Sequence, residues 1–177
     1  MTSIRKKAIE GFQVGDTFSI SRTFSEDDVI RFAEITRDYN PIHFDDRFAA
    51  VKGFEGRICH GLLAAGLLTE IGGQIGWLAS SMHFQYRKPV YFNDTITCHF
   101  TITRIDDRGR ARAEVIYENQ DGVTVIEAYL TGILPGREEK AVLRRMLDEG
   151  DPTNKVGTKT IKSNRKNIPS KPATQHG

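Results

Sequence analysis

From Met82 to Leu134 the sequence keeps a period of two, and this constrains the fold more than any other feature. Met82, Phe84 and Tyr86 fall on one face of a strand. In TITCHFTIT (Thr95–Thr103), Ile96, Cys98, Phe100 and Ile102 share one face, with threonines and His99 on the other. Successive strand side chains point to opposite faces, so the pattern reads as a half-buried sheet. DDRG and NQDG mark turns, and RARAEVIYE and VTVIEAYLTGIL follow them as further strands. Such a meander needs a cover for its apolar face. The candidate lies just upstream, where His60 to Gly76 reads as a mostly apolar helix. Its glycines each cost roughly 1 kcal/mol of helix propensity relative to alanine in an interior position. That cost makes sense where other backbone packs closely, as in a sheet wrapped around a buried helix.

The first third supplies a strand and helices. TFSISRTF (residues 17–24) alternates and suits a strand. In SEDDVIRFAEIT, Ser25 is an N-cap with Asp28 three residues on, and Val29, Phe32 and Ala33 recur at helical spacing. Pro41 disfavours helix at Asn40, so the chain breaks just after Asp38. DDRFAAVK gives one or two more helical turns, and GFEGR a loop. Helices followed by an antiparallel meander make the class α+β.

The main domain is expected over residues 1–136, with a short helix over 137–150. Residues 151–177 form a basic tail of disordered composition. Residues 1–139 hold 16 basic and 20 acidic side chains, and residues 140–177 hold 9 and 3. The tail is read as solvated, without nucleic-acid contact. Mean hydropathy is −0.41. The most apolar run, Ile58 to Leu78, is interrupted by His60, Glu70, Gln74 and five glycines, so no membrane span is expected. The start, MTSIRKKAIEGFQVGD, lacks the apolar region of a secretory signal. Cys59 and Cys98 sit apart in apolar patterns and read as reduced core residues, which fits a cytoplasmic home.

Chemistry concentrates in TRDYNPIHFD (Thr36–Asp45). Asp38, the Asn40-Pro41 step and His43 lie within six residues. Histidine exchanges protons near neutral pH, and a nearby carboxylate can orient it or share its task. Spacing alone leaves two readings, a turn with an incidental acid and a surface histidine, or an acid–base pair on one water. His60-Gly61 is the second candidate, since a glycine opening a helix can offer an unobstructed N–H to a developing oxyanion. No G-x-S-x-G or P-loop is present, and Gly72, Gly73 and Gly76 do not follow a strand. His43, His60, His83 and His99 show no metal-ligand spacing, so no metal is expected.

F-x-V-G-D (Phe12–Asp16), FSEDDVIRFAEIT, D-Y-N-P-I-H-F-D (Asp38–Asp45) and RICHG (Arg57–Gly61) occur in this order. Together they resemble the MaoC-like, R-specific enoyl-CoA hydratases over residues 11 to 135. The resemblance implies the hot-dog fold, an antiparallel sheet wrapped around a central apolar helix. It implies a catalytic dyad of Asp38 and His43 and an oxyanion hole at the Gly61 amide, with Asn40, Pro41 and His60 supporting the motif. Thr69 falls where relatives often have a serine near the reacting end of the substrate. The family motif usually reads Gly-Asp, whereas here Arg37 precedes Asp38. If that glycine holds a special backbone angle, Arg37 must reshape the turn, or its guanidinium meets a CoA phosphate. Arg57 is a second candidate for the nucleotide phosphates.

The activity so implied is reversible hydration of trans-2-enoyl-CoA to R-3-hydroxyacyl-CoA, within fatty acid metabolism. It needs no metal or redox cofactor, the CoA thioester being the substrate. Exposed sheet edges favour a homodimer. Two rivals share the residues: a 3-hydroxyacyl-acyl-carrier-protein dehydratase, and a non-catalytic module that binds acyl thioesters. A hot-dog thioesterase lacks motif support.

Overall fold

The computed structural model describes residues 3–155. Helix α1 (Ser3–Glu10) leads into β1 (Thr17–Thr23) and α2 (Glu26–Thr36). A 3-10 turn (Pro41–His43) and α3 (Asp46–Val51) precede two short helices, α4 (Gly61–Ala65) and α5 (Leu68–Ile75). Four strands follow, β2 (Leu78–Tyr86), β3 (Thr95–Ile105), β4 (Arg110–Glu118) and β5 (Thr124–Ile133), and then α6 (Arg137–Asp148). All pairings are antiparallel, in the order β1-β3-β4-β5-β2. This is the α+β arrangement expected, with the sheet wrapped over α4 and α5.

The period-two pattern explains the core. Cys98 lies opposite Tyr117, Phe100 opposite Val115, and Ile102 opposite Ala113. Val115 then faces Ala128, and Ala113 faces Leu130. All are buried, and they meet Ala64, Ala65, Leu67, Leu68, Ile71 and Ile75 from the helices. Tyr117 donates its hydroxyl to the Ala65 carbonyl at 2.7 Å, which ties the sheet to the end of α4. Cys59 and Cys98 are free and buried, and burial pushes both thiols up to about 12. At neutral pH they are protonated and unreactive.

Two expectations change. The apolar helix is not continuous: it breaks at Gly66 and Leu67, so α4 and α5 are separate pieces. A Cβ at Gly72 or Gly73 would meet nothing within 4 Å, so close backbone approach does not explain those glycines. Leu62, within that apolar run, is 62% exposed. Close approach does operate at Gly132 in β5, where a Cβ would collide with Trp77 Nε1 and stand 2.5 Å from the Leu78 carbonyl.

The sheet is also wider than the helices that cover it. Met82 and Tyr86 lie opposite the buried Leu130 and Ile126, yet they are 43% and 51% exposed. Strand β2 is thus an edge strand with an uncovered apolar row.

The two ends of the described residues pack together. Helix α1 lies against α5 and α6. Arg5, almost fully buried, reaches the Gly73 carbonyl and Thr153, and its Nε stands 3.8 Å from Asp151. Gln74 donates to the Thr153 and Lys155 carbonyls. Residues 151–155, where the basic tail begins, therefore lie on α5. The rest of that tail falls outside the described residues. Among the described residues no helix is long and apolar enough to cross a membrane.

Candidate active site

Asp38 sits just past α2, whose start is fixed by a capping box. Ser25 Oγ accepts from the Asp28 N–H, and the Asp28 carboxylate accepts from the Ser25 N–H. The helix ends at Arg37, with φ 60° and ψ 24°. The left-handed conformation is where glycine is favoured, because a Cβ crowds the following carbonyl there. Arg37 therefore stands where a glycine would be favoured. Its side chain is exposed.

The next residues form a self-capped turn. The Asp38 carboxylate accepts from the Asn40 N–H, and Asn40 Oδ1 accepts from the Ile42 N–H. Pro41 opens the 3-10 turn, where its missing N–H costs nothing. His43, at the end of that turn, is carried into the interior. Its Nδ1 lies 2.8 Å from the Ile58 carbonyl, which can only accept, so Nδ1 carries the proton. In the neutral ring Nε2 is then left with a free lone pair.

His60 completes the group. It is 2% exposed, and its Nε2–H donates to the Asp38 carbonyl at 2.9 Å. Its ring lies on that of His43, with centroids 3.8 Å apart and planes tilted by 30°. Phe32 and Phe44 flank it at 5.1 and 6.2 Å. A carboxylate oxygen of Asp38 and one ring nitrogen each from His43 and His60 lie within 4.8 Å of one another. One water with hydrogen bonds of about 2.8 Å to each of two such groups fits this span. The His43 pKa is lowered from its usual 6.5, chiefly by burial and further by the neighbouring His60. The Ile58 carbonyl and Asp38 act in the opposite direction. A buried imidazole held neutral is a proton acceptor.

Gly61 opens α4 directly after His60. As the first helical residue, its N–H has no acceptor within the helix. The Tyr86 ring covers it so closely that a Cβ would stand 2.8 Å from Cε1 and 2.9 Å from Cζ. The remaining candidates are engaged elsewhere. Arg57 donates to Glu26 at 2.6 Å, lies 3.5 Å from Asp46 and stands 5.0 Å over the Phe92 ring. It braces α2 and α3. Thr69 is exposed and donates to the Gly66 carbonyl at 2.7 Å, at the break between α4 and α5. The stacking of His60 and the ring of Tyr86 leave no periodic trace in the sequence. A residue pair 17 or 25 positions apart carries no local signal.

The MaoC like domain model matches residues 12–124. The 3-hydroxybutyryl-CoA dehydratase of Methylorubrum extorquens is 32% identical over 155 residues, covering 85% of this chain and 98% of that protein. A mitochondrial 3-hydroxyacyl-acyl-carrier-protein dehydratase of Arabidopsis thaliana is 31% identical over 145 residues, covering 76% and 83%. Among solved structures, the (R)-hydratase from A. caviae involved in PHA biosynthesis superposes with a TM-score of 0.67. The two are 28% identical over 71% of this chain and 99% of that one. A family match spanning the fold from Phe12 through β4, with relatives matched over most of their length, settles the kinship: this chain belongs to the MaoC-like domain family.

Proposed function

We propose that this protein hydrates trans-2-enoyl thioesters to R-3-hydroxyacyl thioesters, reversibly, with Asp38 and His43 holding the reacting water. The chain is a hydratase/dehydratase, a lyase, as its relatives are named. The observation that carries the finer reading is a buried, neutral His43 with Nδ1 committed to Ile58, within 4.8 Å of an exposed Asp38 carboxylate. In this reading water is held between His43 Nε2 and the Asp38 carboxylate. As its oxygen bonds to C3, His43 takes a proton, and negative charge moves onto the thioester oxygen. The imidazolium returns a proton to C2, and the atoms balance as substrate plus water. The Gly61 N–H faces the developing oxyanion, and one such donor is worth about 3 kcal/mol to the transition state. The thioester itself makes C3 electrophilic, so the proposed chemistry calls on no metal or redox cofactor.

We further infer a homodimer, because the uncovered row of Met82 and Tyr86 and the free edge of β2 call for a second copy. The two buried free cysteines support a reducing compartment such as the cytoplasm. The deciding assay follows loss of the enoyl-thioester absorbance with crotonyl-CoA and longer enoyl-CoAs, with chiral analysis of the product. An R product supports the reading. An S product, or release of free CoA, overturns it.

A further inference from the structure

We propose that His60 is a positioning residue that locks both members of the dyad at once, through an N–H to the Asp38 backbone and a ring face to His43. This rests on the proposed hydration reading and names a part that the motif alone does not assign.

The other hydrogen bonds of residues 37–40 stay within residues 33–43. Arg37 N–H bonds back to Ala33, Asp38 N–H to Thr36, Asn40 N–H to Asp38 and Ile42 N–H to Asn40. Among the described hydrogen bonds, His60 Nε2 to the Asp38 carbonyl alone joins residues 37–40 to a distant part of the chain. These four residues are all exposed, and the first of them holds a left-handed angle. An Asp on such an arm needs an external anchor if its carboxylate is to meet one water repeatedly. His60 supplies that anchor from the rigid junction between the Cys59 bridge to Val90 and the start of α4.

The same ring fixes the other partner. His43 is pinned at Nδ1 by Ile58, which still permits rotation about that bond. The His60 face at 3.8 Å removes this freedom. One buried ring thus sets the spacing between Asp38 and His43. The arrangement also accounts for a cost. His60 Nδ1 is buried without a hydrogen-bond partner in the described structure. An apolar side chain would fill the site without that loss, but it would leave the Asp38 carbonyl untied.

Two variants divide the roles. His60→Phe keeps a ring against His43 and removes the donor. His60→Gln restores an N–H near the position of Nε2 and has no second buried nitrogen of the ring type. With enoyl-CoA substrate, His60→Phe is expected to lower kcat roughly a hundredfold, since small displacements of reacting groups cost about that much. KM should stay within about twofold, and His60→Gln should recover at least a tenfold part of the loss. Amide hydrogen exchange at residues 38–40 is read in parallel, because it needs no turnover. It should accelerate in His60→Phe and return toward wild type in His60→Gln, with thermal unfolding confirming that both variants fold. Wild-type kcat in His60→Phe, or exchange at residues 38–40 that does not return toward wild type in a folded His60→Gln, overturns the proposal. If the wild type turns over no enoyl thioester, the hydration reading fails, and exchange alone decides the anchor. Exchange unchanged in His60→Phe then sinks the anchor as well.

Discussion

His43 and His60 stack with centroids 3.8 Å apart, and each donates one N–H to a backbone carbonyl, His43 to Ile58 and His60 to Asp38. Each ring therefore has a defined tautomer, and the only bare ring nitrogen near the Asp38 carboxylate that the proposed chemistry uses is His43 Nε2. In the proposed mechanism, replacing either Asp38 or His43 removes one of two groups that act on a single water. Asp38→Asn and His43→Ala should each lower kcat for crotonyl-CoA hydration by a factor of roughly 10² to 10⁴, the usual worth of general acid–base help. The double variant should lose little more than the worse single one, because groups acting as a unit are not additive. Strictly multiplicative losses in steady-state kinetics would show two independent roles.

The depressed pKa of His43 makes a signed prediction about acid stability. Burial is its largest cause, and the folded value lies below the unfolded value near 6.5. As pH falls through 6.5, the unfolded chain takes up a proton that the folded chain refuses. Stability is lost from there down to the folded pKa and is constant below it for this group. Between pH 7.5 and pH 5, urea midpoints should fall less for His43→Gln than for the wild type. Equal slopes would show that His43 is not held neutral. The acid limb of kcat/KM should likewise lie below pH 6.5.

Arg37 holds a conformation suited to glycine, with φ 60°. Arg37→Gly should raise stability by up to about 1 kcal/mol in chemical denaturation, the typical relief at such a position. If the exposed guanidinium also meets an anionic end of the substrate, KM for enoyl-CoA rises while kcat holds. An unchanged KM, with the pantetheine thioester as a phosphate-free comparison, would remove Arg37 from substrate recognition.

Much of this was legible in the sequence, for reasons that can be named residue by residue. Strands β3, β4 and β5 announce themselves because each has one buried face, and Ile96, Cys98, Phe100 and Ile102 all enter the core. Ser25 and Asp28 show the start of α2 because capping is local chemistry. Asp38, Asn40, Pro41 and His43 form a local motif, so their turn could be foreseen. Helix α1 could not, since its buried Ile4 and Ala8 give a single helical repeat among lysines and an arginine. The exposure of Met82 and Tyr86 was equally hidden. Alternation tells which face is apolar but not whether the helices reach far enough to cover it. The break at Gly66 and the stacking of His60 on His43 depend on contacts between distant segments, which periodicity does not carry.

Gly61 gives the sharpest separation between packing and chemistry. In the wild type a Cβ there meets the Tyr86 ring at 2.8 Å, so Gly61→Ala should cost about 1–3 kcal/mol through overpacking. In a Tyr86→Ala background the clash is gone, and Gly61→Ala should be neutral or slightly stabilising, as alanine is the better helix former. The coupling between the two sites is measured by a double-mutant cycle of urea midpoints. The same background admits Gly61→Pro. Proline fits the first helical position, and His60 already holds φ −59° and ψ 132°, the extended geometry that a following proline requires. Proline deletes only the N–H that the proposed mechanism aims at the oxyanion. Relative to Gly61→Ala in that background, Gly61→Pro should lose roughly 10² to 10³ in kcat with the fold retained. Equal rates for the two would place the oxyanion donor elsewhere and leave Gly61 as a residue chosen for the closeness of Tyr86 alone.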